Sequence, residues 1–408
     1  MKRNNLPFIP VIVGTEINSY NLAISFREQY GIHPVLVGRG ELSFTKWSNI
    51  PRVVEIFPNL GEREAFADIL IQVAEQYKED GKQLLLVGTN DLYVRLIIEH
   101  QEQLRRYYTF NYIEEPLMND LLVKKNFYAL CEKHGVDIPA THFHSCQTDA
   151  PFEGDVTFPV IVKPSNGVLY YKNPFPNMQK VYKVDSYDEI NEVVTTIRES
   201  GYDADLIIQD YIPGDDTYMW DSVVYVSSKG KPQLVTFAQV VLQEHELTAI
   251  GNYTALITRY NEKMMKVLQQ FLEEVGYVGF ANFDLKYDPR DGTFKVFEVN
   301  IRQGRSSYYI TSCGHNMAKY LVDDLIYNVD KPLTYLDEEH LFTVVPKYVL
   351  KNFVKDDEVR ADVRRLLKEG KYRNPLFYKR DRHIKRKFFM MARQVNYVRK
   401  YRNSEWVE

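Results

Sequence analysis

The sequence predicts an α/β protein: an N-terminal parallel-sheet domain over residues 1–115, a second sheet-containing domain over 116–330, and a basic helical extension over 331–408. Three observations lead there. Short apolar runs alternate with helical patterns up to about Arg105, a long alternating hairpin fills residues 279–301, and basic residues crowd the C-terminal segment. With 408 residues, 45% of them hydrophobic, the chain can bury more than one core.

Taken in order, residues 9–16 read as strand then turn, Asn18–Tyr30 as a helix, and His33–Gly38 and Val53–Phe57 as strands. Glu62–Tyr77 reads as an amphipathic helix, and Gln83–Gly88 as a buried strand before a helix reaching about Arg105. Strands separated by helices pair in parallel. The loops after Val13 and Val87 each carry Gly-Thr at a strand's carboxyl end, where such sheets take ligands. Gly14 and Gly88 therefore read as turn glycines or as part of a substrate loop. Val13–Ile17 lacks Gly-x-Gly-x-x-Gly spacing, which argues against a dinucleotide fold.

Beyond residue 116, helices are expected at Leu121–Lys133, Ser186–Ser200 and Glu262–Val275. Strands are expected at Pro159–Lys163, Asp205–Tyr211, Ser222–Val226 and Gln233–Val241, the last followed by an irregular loop through Tyr253. The hairpin is the most informative segment. Asp288–Gly292 is a turn in which Pro289 presets φ and Gly292 accepts a positive one. Ala281, Phe283, Leu285 and Tyr287 share one face of the first strand, and Asn282, Asp284 and Lys286 the other. On the return strand Phe297, Val299 and Ile301 face one way, and Glu298, Asn300 and Arg302 the other. This register sets Asp284 against Glu298 and Asn282 against Asn300.

Two carboxylates and an amide thus converge. They form either a wet face neutralised by Lys286 or a site for Mg²⁺, which takes one or two carboxylates and completes its shell with water and phosphate oxygens. In the second case Glu298 bridges two ions, with Asp284 on one and Asn300 on the other.

Cys131, Cys146 and Cys313 are odd in number and widely spaced, so neither a disulfide framework nor a zinc site is expected, and a reducing cytoplasm fits. Leu6–Val13 reads as a strand rather than a leader, and no run is long enough to span a membrane. The net charge of −4 hides an asymmetry: Lys371–Arg402 holds 12 Lys or Arg against Asp381 alone. The apolar residues interleaved there (Phe388, Phe389, Met390, Met391, Val395, Val398) fall at helical spacing. Such a helix packs its apolar side on the body, or meets an anionic membrane surface or a phosphate-rich substrate. An acidic remainder argues against nucleic acid.

The order of signals then carries a resemblance. Lys124 opens a helix ending at Gly135, Pro159–Pro164 reads Pro-Val-Ile-Val-Lys-Pro, Ile208–Asp216 reads Ile-Gln-Asp-Tyr-Ile-Pro-Gly-Asp-Asp, and Asp284, Glu298, Asn300 and Arg302 follow. This resembles the ATP-grasp superfamily, whose members join a carboxylate to an amine through an acyl phosphate. The segments 212–216, 279–284, 287–292 and 302–307 look like those of bacterial D-aspartate ligases of cell-wall synthesis, along nearly the whole chain. The resemblance implies an α+β ATP-grasp fold with the nucleotide between two sheet-containing subdomains. It assigns Lys124, Lys163 and Ser165 to ATP phosphates, Gln209, Asp210, Tyr211 and Ile212 to an adenine-reading linker, and Asp216 to a ribose hydroxyl. Asp284, Glu298 and Asn300 go to Mg²⁺. Arg302, Arg305 and Lys286 are the candidate catalytic cations, Arg302 for the transferring phosphate and Arg305 for a substrate carboxylate. The implied substrates are D-aspartate, activated at its β-carboxylate, and the lysine amine of a UDP-linked muramyl pentapeptide, met in the cytoplasm or at the inner membrane surface.

One departure stands out. Ser165–Pro176, where the superfamily carries a glycine-crowded loop, holds a single Gly, so Lys172 or the Ser165 and Asn166 side chains would have to serve there. An ATP-grasp ligase with another acid or amine, and a nucleotide-binding protein without turnover, fit the same motifs.

Overall fold

The computed structural model describes residues 6–245 and 251–403. Residues 246–250, within the loop expected to run to Tyr253, lie outside the described residues.

Five parallel strands build the first layer, in the order Val53–Ile56, Val35–Gly38, Phe8–Val13, Gln83–Gly88 and Tyr108–Thr109. The central Phe8–Val13 strand is buried along its whole length, as an apolar run covered on both faces must be. Helices Ile17–Tyr30, Arg63–Tyr77 and Asp91–Glu99 make the crossovers. Asn90 caps the last of these by accepting from the Tyr93 N–H, and Gly31 ends the first in a left-handed conformation at φ 71°. The helix expected to reach Arg105 is broken at His100 into Asp91–Glu99 and Gln101–Leu104.

A four-stranded antiparallel sheet follows, ordered Thr141–Ser145, Asp205–Asp210, Val160–Pro164 and Tyr182–Val184. Its first and last strands were not expected. Both are short edge strands of mixed polarity, which leave little periodic signal. The expected Leu121–Lys133 helix is two helices, Glu115–Leu122 and Lys124–Lys133, parted at the extended Val123, so Lys124 does open a helix.

The third layer is a nine-stranded sheet. Its main path runs Thr293–Asn300, Gly279–Asp288, Met219–Val226, Ala238–Gln243, Tyr253–Thr258, Leu341–Thr343 and Tyr372–Arg373. The stretch expected as one strand, Gln233–Val241, is two, Pro232–Val235 and Ala238–Gln243. Besides its helices, the chain after residue 330 gives this sheet its short outer strands.

The hairpin pairs Asp284 with Glu298 and Asn282 with Asn300. Gly292, at φ 73°, closes the turn with its N–H 2.9 Å from the Asp288 carbonyl. One detail differs from the simple alternation. The register shifts after Asp284, so Leu285 faces Val296, which takes the core position while Phe297 is the extra residue of a bulge. Phe297 therefore turns away from the core, and its ring lies 5.7 Å from Lys163 Nζ.

The last helix, Ile384–Asn403, packs on the body through Arg386, Met390, Tyr397 and Tyr401. Of the apolar residues that the sequence left open between packing on the body and meeting an anionic surface, Met390 is buried, while Phe388, Phe389, Met391 and Val395 are exposed. The buried side is chosen by polar groups with partners: Arg386 meets Asp381 at 3.2 Å, and Tyr401 donates to the Gln243 carbonyl at 2.5 Å.

Candidate active site

The site lies between the four-stranded and nine-stranded sheets. Gly279–Asp288 is antiparallel to Met219–Val226, which sets Asp221 beside Asp284. Three carboxylates thus sit in one row across adjacent strands: Asp221, Asp284 and Glu298. Asn282 Nδ2 at 2.7 Å and Tyr309 OH at 2.9 Å both donate to Asp221. Burial still pushes the Asp221 carboxyl up to about 6.

Asp284 has less relief. Burial, then the charges of Glu298 and Asp221, push it well above the ordinary carboxylate range, although the Tyr253 hydroxyl bonds to it. Asn300 Nδ2 lies 3.1 Å from Asp284 Oδ2. Glu298 is held the opposite way. The Lys124 ammonium, 2.5 Å away, brings it down to about 2. Burial opposes the Lys124 charge, but Glu298, Tyr128 and Asp284 outweigh it and raise the Lys124 pKa. Lys124 also donates to the Phe297 carbonyl at 3.2 Å.

No group of three or more His, Cys, Asp and Glu side chains is disposed to hold a metal among the described residues. The hairpin set is two carboxylates and an amide, a donor set of hard oxygens that suits Mg²⁺. The crowding at Asp284 fits as well: two carboxylates that repel each other are what a divalent cation relieves.

Lys163 projects from Val160–Pro164 into the same cleft. Gln209 Oε1 accepts from it at 2.8 Å, while Gln209 Nε2 donates to Tyr128 OH at 3.0 Å and Thr141 Oγ1 at 2.9 Å. Gln209 is buried and its backbone pairs with strands on both sides, so its side chain, aiming Lys163, is what reaches the cleft. Burial, then repulsion by Lys124, pulls Lys163 down to about 7. Ser165 Oγ stands 3.5 Å from Tyr202 OH. After it comes a short helix, Gly167–Lys172.

The other expected residues divide between two ends of the cleft. Lys286 Nζ donates to the Ile212 carbonyl at 2.7 Å and lies 5.6 Å from the Tyr211 ring, so it joins the linker rather than Arg302. Burial lowers it to about 8. Asp210 points outward to Arg290, and its N–H is taken by the Ala140 carbonyl. Asp216 is buried and already accepts from Gln243 N–H at 3.0 Å and Gln243 Nε2 at 2.6 Å.

At the opposite end, Arg302 grips Asp91 with two nitrogens at 2.9 and 3.0 Å and reaches Asn300 Oδ1 at 3.2 Å. Asp91 opens a helix of the parallel-sheet domain, so that domain orients the arginine. Asn18 Nδ2 ties the Thr89 carbonyl (2.7 Å) to that of Gln303 (3.1 Å), and Gly14 is obligatory because a Cβ there would stand 2.1 Å from Thr89 Oγ1. Arg305 lies 3.8 Å from Glu244, which also accepts from Tyr397 OH at 3.1 Å. Asp91, Asp221, Glu244, Tyr253 and Tyr397 went unread in the sequence. Each belongs to the site only through pairing between distant segments.

Comparison with known proteins agrees with this geometry. No family model matches the chain. It is 34% identical to a D-aspartate ligase of Enterococcus faecium (strain Aus0004), across 98% of this chain and 97% of that protein. Among solved structures it resembles an N5-carboxyaminoimidazole ribonucleotide synthetase in complex with ADP (TM-score 0.59, 15% identity, 84% and 82% of the two chains). An L-amino acid ligase from Bacillus licheniformis is similar too (TM-score 0.55, 18% identity, 79% and 75%). These two structural likenesses show the fold, and the 34% identity to the Enterococcus faecium protein along nearly the whole of both chains shows the family: the chain belongs to the D-aspartate ligase family and is a ligase of the ATP-grasp fold.

Proposed function

We propose that this protein joins the β-carboxylate of D-aspartate to the lysine side-chain amine of a UDP-linked muramyl pentapeptide, with ATP converted to ADP and phosphate. The observation that carries the reading is one cleft in which Lys124 and Lys163 face Asp284, Glu298 and Asn300, in a chain similar over 98% of its length to a D-aspartate ligase.

The aspartate carboxylate attacks the γ-phosphorus and ADP leaves. The amine then attacks the acyl carbon of the resulting acyl phosphate, loses a proton, and phosphate departs. Lys163, costly to keep charged in its pocket, regains its charge beside phosphate oxygens, and Lys124 supplies a second cation. Asp284, Glu298 and Asn300 would hold Mg²⁺, which would offset the charge that keeps a carboxylate away from phosphate. Arg302, fixed by Asp91, presents a planar fork to the transferring group, and Arg305 takes the α-carboxylate of aspartate. Tyr211 and Ile212 border adenine, with Lys286 fixing the linker by its bond to the Ile212 carbonyl. The reaction is cytoplasmic, and the basic C-terminal helix draws the enzyme to the inner membrane surface. Nucleic acid has no part in it.

The test is incubation with ATP, Mg²⁺, the pentapeptide and either D- or L-aspartate. A single aspartyl mass increment with the D form alone is expected. Modification by L-aspartate instead, or by neither, overturns the substrate assignment.

A further inference from the structure

We infer that the outward side of the Ile384–Asn403 helix is a docking surface for anionic lipid headgroups, on which the protein lies without crossing the bilayer. This deepens the membrane placement given above and rests on it, not on the identity of the substrates.

The geometry is that of a helix with two working sides. Arg386, Met390, Tyr397 and Tyr401 face the body. Ile384, Phe388, Met391 and Val395 follow one another at four, three and four residues, which aligns them in one stripe on the opposite side. They are 67%, 68%, 58% and 55% exposed, a degree of exposure that a packed helix does not give to four large apolar residues in line. Phe389 widens the stripe. Its ring meets Trp47 of the N-terminal domain edge-on at 6.1 Å, and Trp47 is itself 39% exposed.

Charge decides what covers this face. Lys385 and Lys387 flank the stripe on either side, and Arg399 and Arg402 extend it, all exposed. Lys46 Nζ sits 5.1 Å from the Trp47 ring. From Arg382 to Asn403 there is no acidic residue. A second copy of the chain would bring one cationic rim against another, which opposes self-association. Acidic headgroups around an apolar interior complement both the rim and the stripe. No described helix is long and apolar enough to cross a membrane, which leaves binding in the interfacial plane.

Flotation of the full-length protein with vesicles of phosphatidylglycerol and phosphatidylcholine in equal parts, against pure phosphatidylcholine, tests this. Binding to the anionic vesicles alone, weakening as salt rises, is expected. Replacing Lys385 and Lys387 together by Gln lowers the partition coefficient by about thirtyfold, and Phe388→Ser by about tenfold. Both variants keep wild-type ADP release on soluble substrates, because neither touches the cleft. Vesicle binding that ignores lipid charge or survives these substitutions overturns the inference, as does a dimer in solution that Phe388→Ser dissolves. If the ligase assay fails with D-aspartate while anionic vesicles still retain the protein, the substrate reading falls and the docking surface stands.

Discussion

Lys124 Nζ lies 2.5 Å from Glu298 Oε2, which ties the first turn of the Lys124–Lys133 helix to the hairpin that carries Asp284, Glu298 and Asn300. In the function proposed above, the pair is a resting arrangement: Lys124 would turn to phosphate and Glu298 to Mg²⁺. Replacing Lys124 by Met leaves Glu298 without the cation that holds its carboxyl down at about 2. Steady-state ADP release should fall by about 10²–10³-fold, the scale of one electrostatic contact to a transferring group. Unchanged turnover would remove Lys124 from the site.

Asp284 makes a prediction of opposite sign for stability and activity. Its folded pKa is raised well above the ordinary 3.8, by burial and by Glu298 and Asp221. The folded state therefore holds a proton that the unfolded state releases, and that advantage is lost as pH rises above 3.8 and through the folded value. Without metal, ionising this carboxyl in the folded state costs stability. Asp284→Asn should raise the metal-free melting temperature by about 2–4 °C while abolishing most turnover. Mg²⁺ should stabilise the wild type and not the variant. Thermal scans with and without Mg²⁺ check both.

The hairpin was legible because alternation and one turn fix its register within a single stretch of sequence: Asp284 opposite Glu298 needs no distant information. The bulge at Phe297 was not, since an inserted residue leaves the apolar pattern Phe-Lys-Val-Phe-Glu-Val ambiguous between two registers. Asp221 was hidden for another reason. Its strand joins Gly279–Asp288 across more than fifty residues of chain, and no local pattern says which strand will be the neighbour. The same holds for Asp91 on Arg302 and for Tyr397 on Glu244. The parallel-sheet domain read well, since buried strands and crossover helices each carry their own periodicity. The C-terminal helix was left open between packing and surface contact, because its apolar residues ring the helix; Met390 packs, and the side is set by the buried Asp381–Arg386 pair and the tyrosine hydroxyls, whose partners lie in distant segments.

Lys163 should couple nucleotide binding to protons. Its folded pKa of about 7 means that it is largely neutral at a pH of about 8, whereas contact with phosphate restores the charge. ATP binding should take up close to one proton at about pH 8, and almost none at about pH 6, where the lysine is already charged. Calorimetry in buffers of different ionisation enthalpy measures this uptake. Lys163→Met should abolish it and weaken ATP binding.

Tyr397 reaches the site from the far end of the chain. Its hydroxyl lies 3.1 Å from Glu244 Oε1, and Glu244 lies 3.8 Å from Arg305. The Tyr397–Glu244 bond fixes the carboxylate against which Arg305 is set. Tyr397→Phe should raise KM for aspartate about threefold to tenfold, less than the full worth of a hydrogen bond to a charged group, because it acts only through Glu244 and Arg305. KM for ATP should change less, because Tyr397 bonds to Glu244 and not to Lys124, Lys163 or the Ile212 carbonyl. An equal change in both constants, or none in either, would separate Tyr397 from the substrate pocket.

Asp381 and Arg386 decide whether the C-terminal helix stays on the body at all. Arg386 is 2% exposed and its guanidinium lies over the Tyr20 ring, 4.2 Å from the centroid, while Asp381 also accepts from Tyr20 OH at 2.8 Å and Ser48 Oγ at 2.6 Å. Removing one charge leaves the other buried without its partner. Arg386→Met should therefore cost about 3–5 kcal/mol in equilibrium unfolding. Asp381→Asn should cost a comparable amount, and the double variant less than the sum of the two, because neither charge is then stranded. Strict additivity in that cycle would mean that the hydrogen bonds to Tyr20 and Ser48, not the ion pair, hold the helix in place.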